Sequence, residues 1–467
     1  MHDVLTIDRR SFLRGTAAGA AALWCRGGGD RALQPHFAAR ARRVLYLHMA
    51  GGPSQHDLFD HKPALARWHG QDLPDSVRQG QRITTMTSTQ KRLRIQKSNR
   101  AFAQRGECGA WISDLLPFTA SCADELAIVR SMHTDAINHE PAINLQQTGH
   151  ELPGRPCFGA WLAWALGADA KDLPAYVVLH STWSGPKVDQ PLYSRLWSAG
   201  FLPAEHQGVL LRSQGDPVLF LQDPAGVSRQ ARAQQLAAMA ALNAAARDHF
   251  GDPGIDARQR QAELAFRMQE AVPELVDLGA EPEHVKLLYG PDVQTRGTFA
   301  NNALLARRLL EHGVRCVQIY HRGWDQHKDL EHDLPRQCRD VDQPIAALLT
   351  ELRRRGLLDD TLVVWTSEFG RTVYAQGEPD DAHYGRDHHP RCFVTWLAGS
   401  GVRAGWQHGE TDELGYNTAR DPVHVHDLNA TLLHLLGFDH EKLTFRYEGR
   451  DFRLTDVHGR VVRELLA

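Results

Sequence analysis

Short apolar runs alternate along this chain with longer stretches of helical period. Arg43–Met49 (RVLYLHM), Leu126–Arg130 (LAIVR), Tyr176–Leu179, Val314–Tyr320, Thr361–Thr366 and Arg391–Leu397 are rich in β-branched and aromatic residues. Runs of that length and near-continuous hydrophobicity predict strands buried on both faces of a sheet. Helices are predicted from about Glu140, over Ser228–Phe250 and Ala257–Gln269, and over Ala300–His312 with Gly313 as C-cap. Two more fall at Pro344–Arg355, closed by Gly356, and at Asp427–Leu436, with Asp427 as N-cap and Gly437 as C-cap. Strand and helix in alternation give an α/β fold with a mostly parallel central sheet. Residues 43–467 read as a single domain. Residues 70–105, polar and charged, form an excursion at the sheet's edge, and residues 228–279 form a helical insertion outside it.

Composition narrows the partners. A formal net charge of −3 over 467 residues gives no electrostatic footprint for nucleic acid or an acidic membrane surface. No run approaches the ~18 apolar residues of a membrane-spanning helix. Residues 1–29 read as a targeting segment. Asp8-Arg9-Arg10-Ser11-Phe12-Leu13-Arg14 is a twin-arginine pattern, followed by a weakly apolar Gly15–Trp24 stretch and a break at Gly27-Gly28-Gly29. It predicts export by the twin-arginine translocation machinery to the periplasm or beyond; the plain alternative is an amphipathic N-terminal helix. Trp24 directly before Cys25 argues against a lipoprotein site. The seven cysteines contain no CxxC pair, hence neither a disulfide framework nor a structural zinc site. Cys316 and Cys392 lie in strands as small buried hydrophobes, and a Cys108–Cys122 disulfide is left open.

Candidate chemistry gathers where strands end. The 26 histidines fall partly in groups: His133/His139/His150, His321/His327 and His383/His388/His389. Asp325 and His327, two apart in an extended segment, face the same way. Glu368 follows the Thr361 strand, and His388-His389 precede the next one. Ligands bind at the carboxyl ends of strands in open α/β sheets. An Asp/Glu/His set fits zinc, manganese or iron better than calcium. The alternative is that these groups satisfy one another in connecting loops. Strand geometry admits His388 or His389 as ligand, and the sequence leaves that choice open. Asp57 and His139 read as site residues; the alternative for Asp135 and His139 is a surface group or a cap of the helix that follows. Arg371 and Arg386 are placed to orient an anionic substrate, or to pair with Asp380, Asp381 or Asp387.

These residues also carry a resemblance. DDTLVVWTSEFG (residues 359–370) is similar to a strand of the sulfatase/alkaline phosphatase superfamily, and DLNATLLHLLG (427–437) resembles its late helix. MAGGPSQHDLFDHKP, SEFGRT, GRDHHP and LTFRYEGRDFRLTDVHG more closely resemble an exported bacterial family known as domain of unknown function 1501, from about Arg43 to the C-terminus. The resemblance implies an alkaline-phosphatase-like α/β/α sandwich and sulfatase-like hydrolases. The chain departs from the sulfatase pattern in four places. Counting back nine residues from Thr148 puts His139 where the nucleophile belongs, Ile143 replaces an arginine, and Glu368-Phe369 replaces an Asp-His/Asn pair. With no cysteine at that position, formylglycine chemistry is excluded. Ala50-Gly51-Gly52 stands where sulfatases carry adjacent Asp residues after the first strand, so Asp57 serves from further along.

The expectation is an exported, metal-dependent hydrolase of sulfate or phosphate esters. Asp57, Asp325, His327, Glu368 and His388 or His389 hold a divalent ion, zinc or manganese. His139 acts as ligand or general acid/base, and Arg371 contacts the anionic ester. The rival is a non-catalytic binding protein on the same fold, recognising a sulfated glycan or a protein partner. An esterase built on Ser54 lacks the flanking-glycine elbow.

Overall fold

A computed structural model describes residues 32–186, 191–218, 222, 223 and 225–467. The twin-arginine segment and Cys25 lie outside the described residues. Ten strands carry the argument: β1 (Arg43–Met49), β2 (Ala127–His133), β3 (Tyr176–Ser181), β4 (Val209–Leu211), β5 (Cys316–His321), β6 (Thr361–Thr366), β7 (Gly370–Gln376), β8 (Gly385–His389), β9 (Phe393–Gly399) and β10 (Gln407–His408). Among the described residues the main sheet runs β10-β2-β9-β6-β1-β5-β3-β4, with Val423–His424 alongside β2. All these pairings are parallel except those of β9, which runs antiparallel to both β2 and β6. The chain therefore has the mostly parallel sheet that its pattern predicts, in the α/β/α arrangement that the resemblance implies.

The pleat explains why the strands look continuously apolar. In β1, Leu45, Leu47 and Met49 enter one core and Val44 and Tyr46 the opposite one. Leu47 sits level with Ile319 on one side and Trp365 on the other. Helices cover both faces: α1 (His139–Thr148), α2 (Phe158–Leu166), α3 (Arg229–Phe250), α4 (Pro253–Val276), α5 (Phe299–Glu311), α6 (Leu330–Arg354) and α7 (Val425–Leu435). Leu304 and Leu309 of α5 and Leu334 to Leu352 of α6 fill the first core; α2 and α7 fill the second. Truncating one such residue, Leu309→Ala for example, costs about 2–5 kcal/mol through lost burial and the cavity left behind.

Differences from the sequence reading have local causes. Helix α6 begins at Leu330, not Pro344, and runs through Pro335 and Pro344. Burial of Leu330, Leu334, Cys338, Val341 and Ile345 on one stripe outweighs the hydrogen bonds those prolines remove. Asp427 is not the N-cap of α7. His424 is, and Asp427 sits at N3, returning its carboxylate to the His424 N–H in a capping box. Glu368 is followed directly by β7, which the sequence reading did not single out as a strand and which pairs antiparallel with β8 in a two-stranded ribbon. Cys108 and Cys122 are free thiols. The insertion is the α3–α4 hairpin, whose Met268, Val272 and Leu275 pack into the first core. The 70–105 excursion is pinned over the β7–β8 ribbon by Thr84 and Thr87, which donate to the Asp387 carboxylate.

Candidate metal centre

The carboxyl ends of β1, β2, β5 and β6 meet the β7–β8 ribbon at one end of the sheet. β2 runs out through Thr134–Asn138 to His139, the first residue of α1. β5 delivers Asp325 and His327, β6 delivers Glu368, and β8 delivers His388. Packing here is tight enough to require glycine. A Cβ on Gly51, at φ +122°, would lie 2.5 Å from the Asp325 nitrogen. One on Gly385 would overlap the His327 carbonyl. The AGGP motif after β1 thus lets two strand exits close on each other.

His139, Asp325, His327 and His388 each offer an atom to one point, all within 4.8 Å of one another. Asp325 Oδ1 lies 2.8 Å from His327 Nε2, 3.2 Å from His388 Nε2 and 3.2 Å from His139 Nε2. The last contact lacks hydrogen-bond geometry, which leaves His139 Nε2 buried and unpartnered. The far side of each ring is held by an acceptor. His139 Nδ1 donates to Glu368 Oε1 (2.8 Å), His388 Nδ1 to the Ile137 carbonyl (3.0 Å) and His327 Nδ1 to Gln376 Oε1 (2.5 Å). With the proton on Nδ1, each Nε2 presents a lone pair inward. His327 and His388 Nε2 are only 3.0 Å apart, so two lone pairs face each other beside a carboxylate. That arrangement is relieved by a cation or a proton lying among them. Fixing a ligating imidazole through its other nitrogen is the usual support of a metal site. An N3O donor set suits zinc, manganese or iron.

The charges agree. Burial alone would raise the Asp325 carboxyl, but Arg371, 2.7 Å away, and the three imidazoles hold it well below the usual carboxylate range. Glu368, fully buried, is likewise kept ionised against burial by His139 and His48. It also accepts the Gly51 N–H (2.8 Å) and the Ser367 hydroxyl (2.9 Å). Burial opposes protonation of His139, yet Asp325 and Glu368 outweigh it and raise its pKa. His388 is pushed down to about 4, chiefly by burial and by Arg371. Phe369 walls the rings, 4.9 Å from His139 and 4.6 Å from His388. Asp325, His139 and His327 remain 22, 14 and 17% exposed, so the centre opens to solvent on their side.

Other sequence candidates stand elsewhere. Glu368 is behind His139 rather than beside the other three donors. Asp57 is buried against Arg386 (2.9 Å), which also donates to the Thr372, Val373 and Gln96 carbonyls. His389 follows His388 in a strand and points to the opposite face, 2.5 Å from the Tyr416 carbonyl. Arg371 spends its donors on the Gly51, Gly52, Trp324 and Arg386 carbonyls and on Asp325, so it positions Asp325 and has no free edge for an anion. Gln376 escaped the sequence reading, because an amide within a strand carries no signal of its own. Beside His139 a cleft of about 130 Å³ is lined by Glu140, Ile143, Tyr193, Arg195 and Leu196. These residues carried no signal either, since they meet only when α1 packs on the 191–196 segment.

Residues 41–466 match the profile of a family described as protein of unknown function (DUF1501). No curated protein matches the chain. Among solved structures it is similar to the PsFucS1 sulfatase from Pseudoalteromonas sp., at 12% identity and a TM-score of 0.35, covering 93% of this chain and 73% of that one. Lipoteichoic acid synthase LtaP from Listeria monocytogenes gives 8% and 0.36, covering 90% and 76%. Phosphonate monoester hydrolase SpPMH from Silicibacter pomeroyi gives 12% and 0.31, covering 75% and 71%.

Proposed function

The chain belongs to the family described as protein of unknown function (DUF1501), and from that premise we propose that it is a metal-dependent hydrolase of sulfate or phosphate esters. His139, Asp325, His327 and His388 would hold one divalent ion, zinc or manganese. The single observation carrying this is the inward convergence of three imidazole nitrogens and a carboxylate oxygen, each imidazole braced from behind. Such an ion supplies Lewis-acid polarisation of an ester oxygen and compensation of the charge that develops there.

The chain's own residues supply the rest. Arg371 keeps Asp325 ionised and fixed. Glu368 keeps the His139 proton on Nδ1. Phe369 and the buried side of His388 exclude water from the back of the site, leaving approach from the exposed edges of Asp325 and His327. We further propose that Asp8–Arg14 directs export of the folded, metal-loaded chain by the twin-arginine route.

The absence of a nucleophile at position 139 and of the Asp pair after the first strand, with Phe369 beside Glu368, favours a second reading, a protein that binds a sulfated glycan or a protein partner without turnover. Elemental analysis of wild type, His388→Ala and Asp325→Asn, followed by a panel of sulfate and phosphate esters with and without chelator, tests both. Metal near one per chain, lost in the variants, with chelator-sensitive hydrolysis supports the enzyme. Metal without turnover leaves the binding reading, and no metal after incubation with zinc or manganese refutes the centre.

A further inference from the structure

A strap from the 70–105 excursion reaches the rear of the metal centre. The Ser88 N–H returns to the Thr84 carbonyl (3.0 Å). That single α-turn buries Thr84 and Thr87 and leaves Thr85, Met86, Ser88 and Thr89 to solvent. Both buried hydroxyls donate to Asp387 Oδ2, Thr87 at 2.6 Å. The other carboxylate oxygen accepts the His388 N–H (2.7 Å). Asp387 is fully buried, yet among the described residues no Lys or Arg pairs with it; the basic atom within ion-pair range is His327 Nδ1, at 4.0 Å. Three residues beyond Thr87, the Gln90 amide closes on the peptide groups either side of Gln376. Its Nε2 donates to the Ala375 carbonyl (3.0 Å) and its Oε1 accepts the Gly377 N–H (3.3 Å). Gln376 is in turn the acceptor behind His327 Nδ1.

We propose that Thr84, Thr87 and Gln90 are positioning residues of the metal centre, acting through Asp387 and Gln376 on His327. Their role rests on the reading of His139, Asp325, His327 and His388 as a metal site. A carboxylate buried without a counter-charge is costly, and hydroxyl partners do not supply the missing charge. A divalent ion on the far side of the His327 ring does supply it. The two threonines fix the carboxylate where it faces that ring, and Gln90 fixes the strand segment that presents Gln376. All three strap side chains therefore converge behind one imidazole. The other two are braced without the strap, His139 by Glu368 and His388 by the Ile137 carbonyl. Removing a group that braces a ligating imidazole typically weakens metal binding 10- to 100-fold.

The test uses the full chain loaded with zinc or with cobalt(II). Zinc release into excess chromophoric chelator gives a rate, and the cobalt ligand-field absorption reports the donors around the ion. Thr84→Val with Thr87→Val removes both hydroxyls and keeps the shape; release should quicken at least tenfold and the cobalt bands should shift. Thr84→Ser with Thr87→Ser keeps the hydroxyls and should stay within twofold of wild type, with an unshifted spectrum. Gln90→Met, at a half-buried position, should quicken release at least threefold, and it decides the matter if the valine pair does not fold. In an Asp387→Asn background the valine pair should add less than twofold, because the path it acts through is already cut. Release within twofold of wild type in Gln90→Met, a serine pair as fast as the valine pair, or full additivity with Asp387→Asn overturns the strap's role and leaves the centre standing. A wild-type chain that takes up neither ion overturns the centre, and the strap's role with it.

Discussion

Replacing Glu368 with glutamine removes one buried charge while nearly keeping the shape. The amide fits in one orientation. Its oxygen must take the Oε1 position, where the Gly51 N–H and His139 Nδ1 both donate at 2.8 Å. Its NH2 then faces the Ser367 hydroxyl, which can accept it while still donating to the Met49 carbonyl at 2.8 Å. Only His48, whose Nε2 lies 3.3 Å from Oε2, loses its carboxylate; every other buried partner is kept, so the fold should persist. What changes is the bond behind His139, from charge-assisted to neutral. Hydrogen bonds to charged groups contribute about 1.5–3 kcal/mol against about 1 for neutral ones. A difference of about 1–2 kcal/mol corresponds to roughly 5- to 30-fold weaker metal binding, within the 10- to 100-fold typical of such supporting residues. Competition against a chromophoric zinc chelator at pH 7.5 measures it. The sign with pH is also set: Glu368 helps raise the His139 pKa, so its loss lowers proton competition and the gap to wild type should narrow toward pH 6. Glu368→Gln within twofold of wild type, while His388→Ala abolishes binding, would refute the claim that the rear acceptor tunes His139.

Other outcomes follow from the same geometry. His388→Ala should lose metal and His389→Ala should keep it, because the two rings point to opposite faces of β8; elemental analysis distinguishes them. Asp57→Ala should retain metal but unfold about 3–5 kcal/mol more easily in urea, since it strands the fully buried Arg386 without its counter-charge. His321, buried far from water and close to Arg322, has its pKa pushed down to about 3 from 6.5. The unfolded chain therefore takes up that proton first, and stability should fall with pH from about 6.5 toward 3, by about 1.4 kcal/mol per unit for this residue. His321→Asn should lessen that slope between pH 6.5 and 5, and an unchanged slope would sink the assignment.

Much of this protein is legible in its sequence. β1 and β6 fall on the residues their apolar runs predict, and the α5–β5 and α6–β6 units follow from helix–glycine–strand order. Those are local properties: a strand buried on both faces must be apolar throughout, and a helix must repeat its stripe. The pairing of Asp325 with His327 on one side of an extended segment is local too. The remainder needed the tertiary structure. Whether His388 or His389 turns inward depends on which face of the β7–β8 ribbon meets the β5 exit. Glu368 stands behind His139 because Gly51 brings β1 against Asp325 and leaves the carboxylate an N–H to accept. Arg371 reads as an anion-binding side chain until five oxygens from three distant segments are found around it. Sequence spacing governs which residues share a face. Long-range packing governs which faces meet, and the His139, Asp325, His327 and His388 cluster lies where three such segments converge.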